Sequence, residues 1–375
     1  MSEVMHPRHA NLVDRALTDV LSFIVDNRGR TCPVTDSGFP LIATNCIKPA
    51  HREAVFENVR YVDDETYARW FRAHPLPGDV IFVCKGSPGR VAVVPDPVPY
   101  CIAQDMVALR ADTKVIDPTY LYYRLSAPDV QAKIQNMHVG TLIPHFKKGD
   151  FAQLRFSVHE NLDEQRRIAG VLGALDDLIE VDSALIRNLW SAAGFAFADA
   201  ARLAELVPAR DCIELQYGKG LPTVLRRPGP VQVVSSAGII GTHDEALVKG
   251  PGVVVGRKGS VGTVTWVDGD FFPIDTAFYV VSQLPKLYCY LALRLMGLEY
   301  MNTDSAVPGL NRENALSRPF PRPTKEALYR FVTVTQPLIA AVAGLKHESV
   351  ELARARDELL PVLLNGRVQV GDVAA

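Results

Sequence analysis

Chemistry on a protein begins with carboxylates, histidines, cysteines and lysines held at fixed spacings, and this sequence arranges few of them that way. The nine histidines are scattered and form no HExxH pair. The six cysteines (Cys32, Cys46, Cys84, Cys101, Cys212, Cys289) form no CxxC pair and no Cys/His cluster. A zinc site is therefore not expected, and the thiols read as reduced, which points to the cytoplasm. No GxxxxGKS/T loop is present to cradle nucleotide phosphates, and no GxGxxG opens a helix after a strand. There is no Asn/Asp-Pro-Pro-aromatic tetrapeptide of the kind an amino-group methyltransferase uses. Asp79 stands beside Cys-Lys-Gly, but the related stretch later in the chain has Val253 instead. A duplicated catalytic unit would keep its acid, so Asp79 reads as a turn residue. The expectation is a chain with no catalytic residue, no metal and no cofactor of its own.

What does recur is a basic turn. CKGSPG at 84–89 returns as RKGSVG at 257–262, flanked each time by apolar, β-branched runs. Other basic groups, Lys147, Lys148, Arg226, Arg227 and Arg312, also fall mostly in predicted turns. A solvated loop is the ordinary reading of each, and a purely structural hairpin is the ordinary reading of the Lys-Gly-Ser pair. Recurrence at matching places favours a shared contact surface. The formal net charge of -2 gives no support to a generic polyanion binder, so any nucleic-acid contact must be local or shared with a partner.

The turns belong to a longer repeat. Ile24 and GRTCP (29–33) match Ile213 and GKGLP (218–222) at offset 189. PGDVIFVCKGSPGRV matches PGVVVGRKGSVGTV at offsets 174 and 173, and DPTYLYYRL (117–125) matches LYCYLALRL (287–295) at 170. GTLIPHF (140–146) matches DSAVPGL (304–310) at 164, and residues 167–189 fall opposite 338–360 at 171. Five matches in one order indicate a duplicated domain, with length differences in loops. The length of 375 residues also favours more than one core.

Each copy has a β-rich part and a long helix. Apolar run, glycine turn, apolar run predicts adjacent strands, followed by a short amphipathic helix at 118–135 and again at 286–297. Tyr120, Tyr122, Tyr123 and Tyr290 sit at helical spacing and read as packing residues. Ile168, Leu175, Leu178, Leu185 and Leu189 recur every few residues, and Leu338, Leu345, Leu352 and Leu359 are seven apart, interrupted at Ser349 and Arg356. These seams predict two helices that pack antiparallel as a coiled coil. The competing arrangement has each helix resting on its own β-rich domain. Asn161 is a helix cap, with Asp163 and Glu164 at the positive end of the dipole. The expected fold is α+β: a first β-rich globular domain over 1–160, a long helix over 161–198, a second domain over 199–325, and a second helix with tail over 326–375. No run of about 18 apolar residues and no apolar signal core at the N-terminus is evident, so no membrane partner is expected.

This order of segments is specific. DNRGRTCP, PGDVIFVCKGSPGRVAVV, IDPTYLYYRL, GTLIPHFKKGDF and LDEQRRIAGVLGALDDLIEVDSALIRNL resemble the first half of the specificity subunit of a type I restriction–modification system. LQYGKGLP, the segment from SSAGII to RKGSVG, FFPIDTAFYV and ARARDELLPVLLNGRV are similar to its second half. The resemblance covers roughly residues 12 to 370. It departs where the Glu164-Gln165 helix start is replaced by a proline-rich stretch near Thr324–Glu326. The resemblance implies two target-recognition domains, each reading one half of an asymmetric bipartite site in double-stranded DNA. It implies paired helices that set the spacing and dock two methyltransferase subunits and, where a nuclease is present, two restriction subunits. S-adenosylmethionine and ATP with magnesium then belong to those partners. Under this reading the DNA-contact candidates are Arg30, Lys85, Ser87, Thr141, His145 and Lys147 in the first domain. In the second they are Lys219, Lys258, Ser260, Ser305, Asn311 and Arg312. The ordinary reading of His145 is a surface loop histidine, with DNA contact as the lesser alternative. The alternative function is a free-standing sequence-specific DNA-binding regulator, which would bind a specific duplex without partners.

Overall fold

The computed structural model describes residues 11–49, 51–137, 144–147, 149–301 and 309–370. It is 41% helical and 24% strand. The chain forms two compact units. Unit 1 joins the residues up to Val181 with those from Glu348 onward, and unit 2 is Asp182–His347.

Unit 1 carries strands β1 (Leu12–Ala16), β2 (Leu21–Val25), β3 (Phe39–Ile42), β4 (Arg60–Val62), β5 (Val80–Val83), β6 (Val91–Val93), β7 (Cys101–Ile102), β8 (Met106–Ala111) and β9 (Arg155–His159). Its short helices are α1 (Asp64–Arg69), α2 (Pro118–Ser126), α3 (Pro128–Met137) and α4 (Asp150–Gln153), and the long helix α5 (Leu162–Ala201) starts there. Unit 2 carries β10 (Glu205–Pro208), β11 (Glu214–Tyr217), β12 (Val231–Ser235), β13 (Gly238–His243), β14 (Gly252–Gly256), β15 (Val264–Val267), β16 (Phe271–Pro273), β17 (Ala277–Val281) and β18 (Pro319–Arg322). Its helices are α6 (Lys286–Arg294), α7 (Arg312–Ser317) and the start of α8 (Lys325–Leu364).

The sheets repeat strand for strand. Orders β2-β8-β5-β6, β4-β3-β7 and β1-β9 in unit 1 recur as β11-β17-β14-β15, β13-β12-β16 and β10-β18 in unit 2. Even the mixed pairing is kept: β3 runs antiparallel to β4 and parallel to β7, as β12 does to β13 and β16.

The continuous apolar runs follow from burial on both faces of the four-stranded sheet. Val80, Phe82, Val107 and Leu109 join one core with Tyr120, Leu121, Ile168 and Leu172. Ile81, Val83, Ala92 and Ala108 face a second core with Ile42, Ile47 and Tyr100. In unit 2, Val253, Val255, Phe278 and Val280 meet Tyr288 and Leu291 on one side, while Val254 and Ala277 meet Val234 and Phe271 on the other. A strand wet on one face would alternate; these have no wet face.

The 118–135 segment is two helices rather than one. Pro128 confines Ala127 to extended backbone (φ -64°, ψ 141°), so α2 ends there and α3 begins anew. Tyr120, Tyr122 and Tyr123 are buried, and Tyr290 is half-buried against Trp190 and Trp266. The helices α2 and α6 are each nine residues, Pro118 matching Lys286, which sets their offset at 168 and pairs Tyr120 with Tyr288.

The long helices correct the seam. Both are 40 residues, Leu162 matching Lys325, an offset of 163 rather than 171. On that register Ile168 and Leu172 match Phe331 and Thr335, all four buried. Heptads look alike when slid by about two turns, so the leucine pattern alone could not fix the register. Of the seam residues, Ile168 is buried, and Leu175, Leu189, Leu338, Leu345, Leu352 and Leu359 are half-buried. Leu178 and Leu185 are 49% and 44% exposed, because the buried stripe of α5 passes through Leu172 and Asp176 instead. Within unit 1 the first turns of α5 share a core with Leu360, Leu363 and Leu364 of α8; within unit 2 Ala193 and Phe197 of α5 share one with Phe331. In each unit the start of one helix meets the end of the other, as antiparallel packing requires. Pro337 lies inside α8, whose start is set by Thr324, its hydroxyl accepting from the Ala327 N–H at 3.2 Å. By length and composition α8 is apolar enough to cross a bilayer, and it is the one described helix that is.

Arg356, which interrupts the leucines, has a partner. Its Nη1 donates to Asp176 at 2.6 Å, and Asp176, buried in α5, also accepts from the Tyr123 hydroxyl at 2.6 Å. Burial works against the Arg356 charge, yet the Asp176 bond and charge hold its pKa above the ordinary value. Gln165 is fully buried: its amide donates to Val115 and His159 carbonyls and accepts from the Asp117 N–H, tying α5 to the rest of unit 1. His159 shares a 2.8 Å hydrogen bond with the Tyr120 hydroxyl, and burial holds its pKa below the ordinary imidazole value.

Two outcomes are expected. Asp176→Ala leaves the half-buried guanidinium with only the exposed Asp357 as its charged partner and destabilises by about 3 kcal/mol, whereas Asp176→Leu with Arg356→Leu costs less than either alone, as a double-mutant cycle in urea will read. His159 must take up a proton on unfolding in acid. Its contribution is therefore complete above the ordinary histidine pKa of about 6.5 and is lost as pH falls toward its depressed folded value. The urea midpoint falls over that range, and His159→Gln flattens the slope.

Candidate nucleic-acid interface

A sheet buried on both faces offers polar groups outlets at its strand ends. The two Lys-Gly-Ser turns lie at one such end, after β5 and after β14. Their backbone frames are the same. Gly89 and Gly262 donate to Val83 and Gly256 at 3.0 and 2.8 Å, closing the turns. Cys84 and Lys85 donate to the Asp105 carbonyl at 2.8 and 3.2 Å; Arg257 and Lys258 donate to the Thr276 carbonyl at 2.9 and 3.1 Å. Phe146 donates to Cys84 at 2.7 Å and Leu310 to Arg257 at 2.8 Å. Bridges link Lys85 with His145 and Lys258 with Gly309. Gly86 and Gly259 hold φ of 85° and 81°, backbone that a side chain disfavours, which fixes glycine after each lysine.

The candidates around the first turn are close together. Lys85 is exposed, 3.9 Å from Asp105, and Ser87 and His145 are half-buried beside it. Lys147 is exposed, and its N–H donates to Asp150 at the start of α4. Arg30 is exposed at the same sheet end but its guanidinium donates to the Trp70 carbonyl at 2.7 Å and stacks on that ring. In unit 2, Lys258 and Ser260 are exposed on the turn, and Lys219 is exposed after β11, its N–H donating to Pro273. Asn311 caps α7 by accepting from Asn314 N–H at 3.0 Å. Arg312 is half-buried and ties α7 to β11, its Nε donating to the Leu215 carbonyl at 2.6 Å. Thr141 and Ser305 lie outside the described residues.

The sequence shows Arg257 in the recurring basic turn but not the side chains that meet it, which differ between the frames. Strand pairing matches Val25 with Gln216, since their partners Ala108 and Tyr279 both pair with the equivalent residues Ile81 and Val254. The offset here is 191 rather than 189, so Asp26 matches Tyr217. In unit 1, Arg28 donates twice to Asp26 at 2.9 Å and lies beside the Cys84 thiol, which burial pushes up to about 12. In unit 2 the guanidinium comes from the other strand: Arg257 stacks on Tyr217 and Phe278, with centroid distances of 5.2 and 6.0 Å.

Residues 53–189 match the family model described as the type I restriction modification DNA specificity domain. The chain is similar in structure to a type I restriction–modification system S subunit from M. genitalium, with TM-score 0.59 and 17% identity, covering 96% of this chain and 97% of that one. It also aligns with the HsdS subunit from Thermoanaerobacter tengcongensis, at TM-score 0.40 and 17% identity over 98% of this chain and 100% of that one. No curated protein matches the chain in sequence. Residues 53–189 thus resemble the type I restriction modification DNA specificity domain, and the chain as a whole has a fold similar to that of the M. genitalium S subunit.

Proposed function

We propose that this chain is the DNA sequence-recognition subunit of a type I restriction–modification complex, each unit reading one half of an asymmetric bipartite site. The observation that carries this is the repeated turn frame: one backbone scaffold at the same sheet end twice, presenting different side chains. A scaffold that holds geometry while its side chains vary is what reading two unlike sequences demands. Lys85 and Lys258 reach phosphates and position the duplex, and polar side chains around them read base edges.

The paired helices set the gap between half-sites. A 40-residue helix rises about 60 Å, on the order of 18 base pairs. Apolar positions left exposed on them, Leu178 and Val181 in α5 and Tyr329 and Val334 in α8, dock the methyltransferase subunits. The adenine methylation, with its S-adenosylmethionine, and any ATP-dependent cleavage are the work of those partners.

Modified-base sequencing of the host genome with this gene intact and deleted tests the reading. Deletion removes adenine methylation at one motif of two short blocks around a fixed unspecified gap; no lost motif while the methyltransferase is expressed overturns it. In the assembled complex, Lys85→Ala and Lys258→Ala each lower the slope of log affinity against log salt by about 0.9, with block sequences unchanged.

A further inference from the structure

The two frames differ most in how they treat one guanidinium, and we propose that Arg257 is a specificity-determining residue of unit 2, reading a guanine in its half-site. This rests on the recognition role above. The argument is the contrast between equivalent positions. In unit 1 the guanidinium of Arg28 is consumed by the paired bonds to Asp26, and Lys85 has Asp105 nearby. Both acids are gone in unit 2, where Tyr217 and Thr276 stand in their places. Among the described residues Arg257 has no ion pair and no side-chain hydrogen bond, and its Nε is buried without a partner.

Arg257 is nonetheless held. Its guanidinium lies over the Tyr217 and Phe278 rings, which meet edge to face at 4.9 Å, and Phe278 is buried in the core. The rings hold the guanidinium in place while its Nη donors make no hydrogen bond among the described residues. A held guanidinium with both Nη groups unspent supplies the pair of donors that the O6 and N7 acceptors of guanine require. The backbone of Arg257 is fixed too, donating to Thr276 and accepting from Leu310. Lysine at this position keeps the charge and loses the fork, which separates base reading from phosphate attraction.

The test uses the native gene in its host, with chain levels followed by immunoblot. Arg257→Lys and Tyr217→Leu are sequenced for modified bases beside the intact and deleted alleles. Arg257→Lys relaxes one G·C position in one block, about 5- to 150-fold less discriminating, and leaves the other block untouched. Tyr217→Leu, which keeps the arginine and removes one ring, relaxes the same position by less. An unchanged motif, a uniform fall in methylation across both blocks, or an intact-allele motif with no G·C pair in either block overturns the assignment. Should Arg257→Lys fail to accumulate, the Tyr217→Leu result decides by the same criteria. If deletion removes no motif at all, it is the recognition role that has failed, and Arg257 with it.

Discussion

The inner strands of each four-stranded sheet, β5 and β8 and their counterparts β14 and β17, are largely buried on both faces, and the rest of the architecture follows from that. A strand whose every side chain faces protein can present nothing to a ligand along its length. Polar function is driven to the strand ends, where the chain must turn. It also demands two cores, which is why each unit needs a second small sheet on one side and helices on the other. The long helices supply part of the latter cover, so they are built into the units and not attached to them.

Duplication followed by divergence has acted unevenly. Backbone bonds at the turns, the sheet orders and the nine-residue helix survive in both units almost bond for bond. Side chains that those bonds do not constrain have drifted, Asp26 to Tyr217 and Cys84 to Arg257 among them. The same place is served by an ion pair in one unit and by a cation over aromatic rings in the other. The caps are kept, Asn161 for α5 and Thr324 for α8, but a buried polar joint has drifted: Gln165, with its three hydrogen bonds, corresponds to Leu328 in α8.

Much of this was legible in the sequence. The duplication, the strand pairs around Lys-Gly-Ser and the two long helices all appear as patterns of apolar residues and glycine. Register was less legible. Offsets of 189, 170 and 171 become 191, 168 and 163, because apolar runs and heptads match nearly as well when slid, and pairing in space breaks the tie. The break at Pro128 was readable and was passed over. Arg356 looked like a defect in a leucine seam, since nothing in sequence ties it to Asp176, 180 residues away. Of the candidate contacts, Arg30 and Arg312 spend donors on nearby carbonyls, which residue type alone does not disclose.

The division of the chain also orders its synthesis. Unit 2 is one uninterrupted stretch, Asp182–His347, so everything its core needs has been made once that stretch has left the ribosome. Unit 1 begins earlier but closes its core with Leu360, Leu363 and Leu364 and its buried ion pair with Arg356. The half of the protein that is translated first is therefore the half that matures last, and until then its core lacks the cover of Leu360, Leu363 and Leu364. A ribosome that stalls between residues 347 and 356 would release a chain with one finished unit and one exposed core, a natural substrate for chaperones.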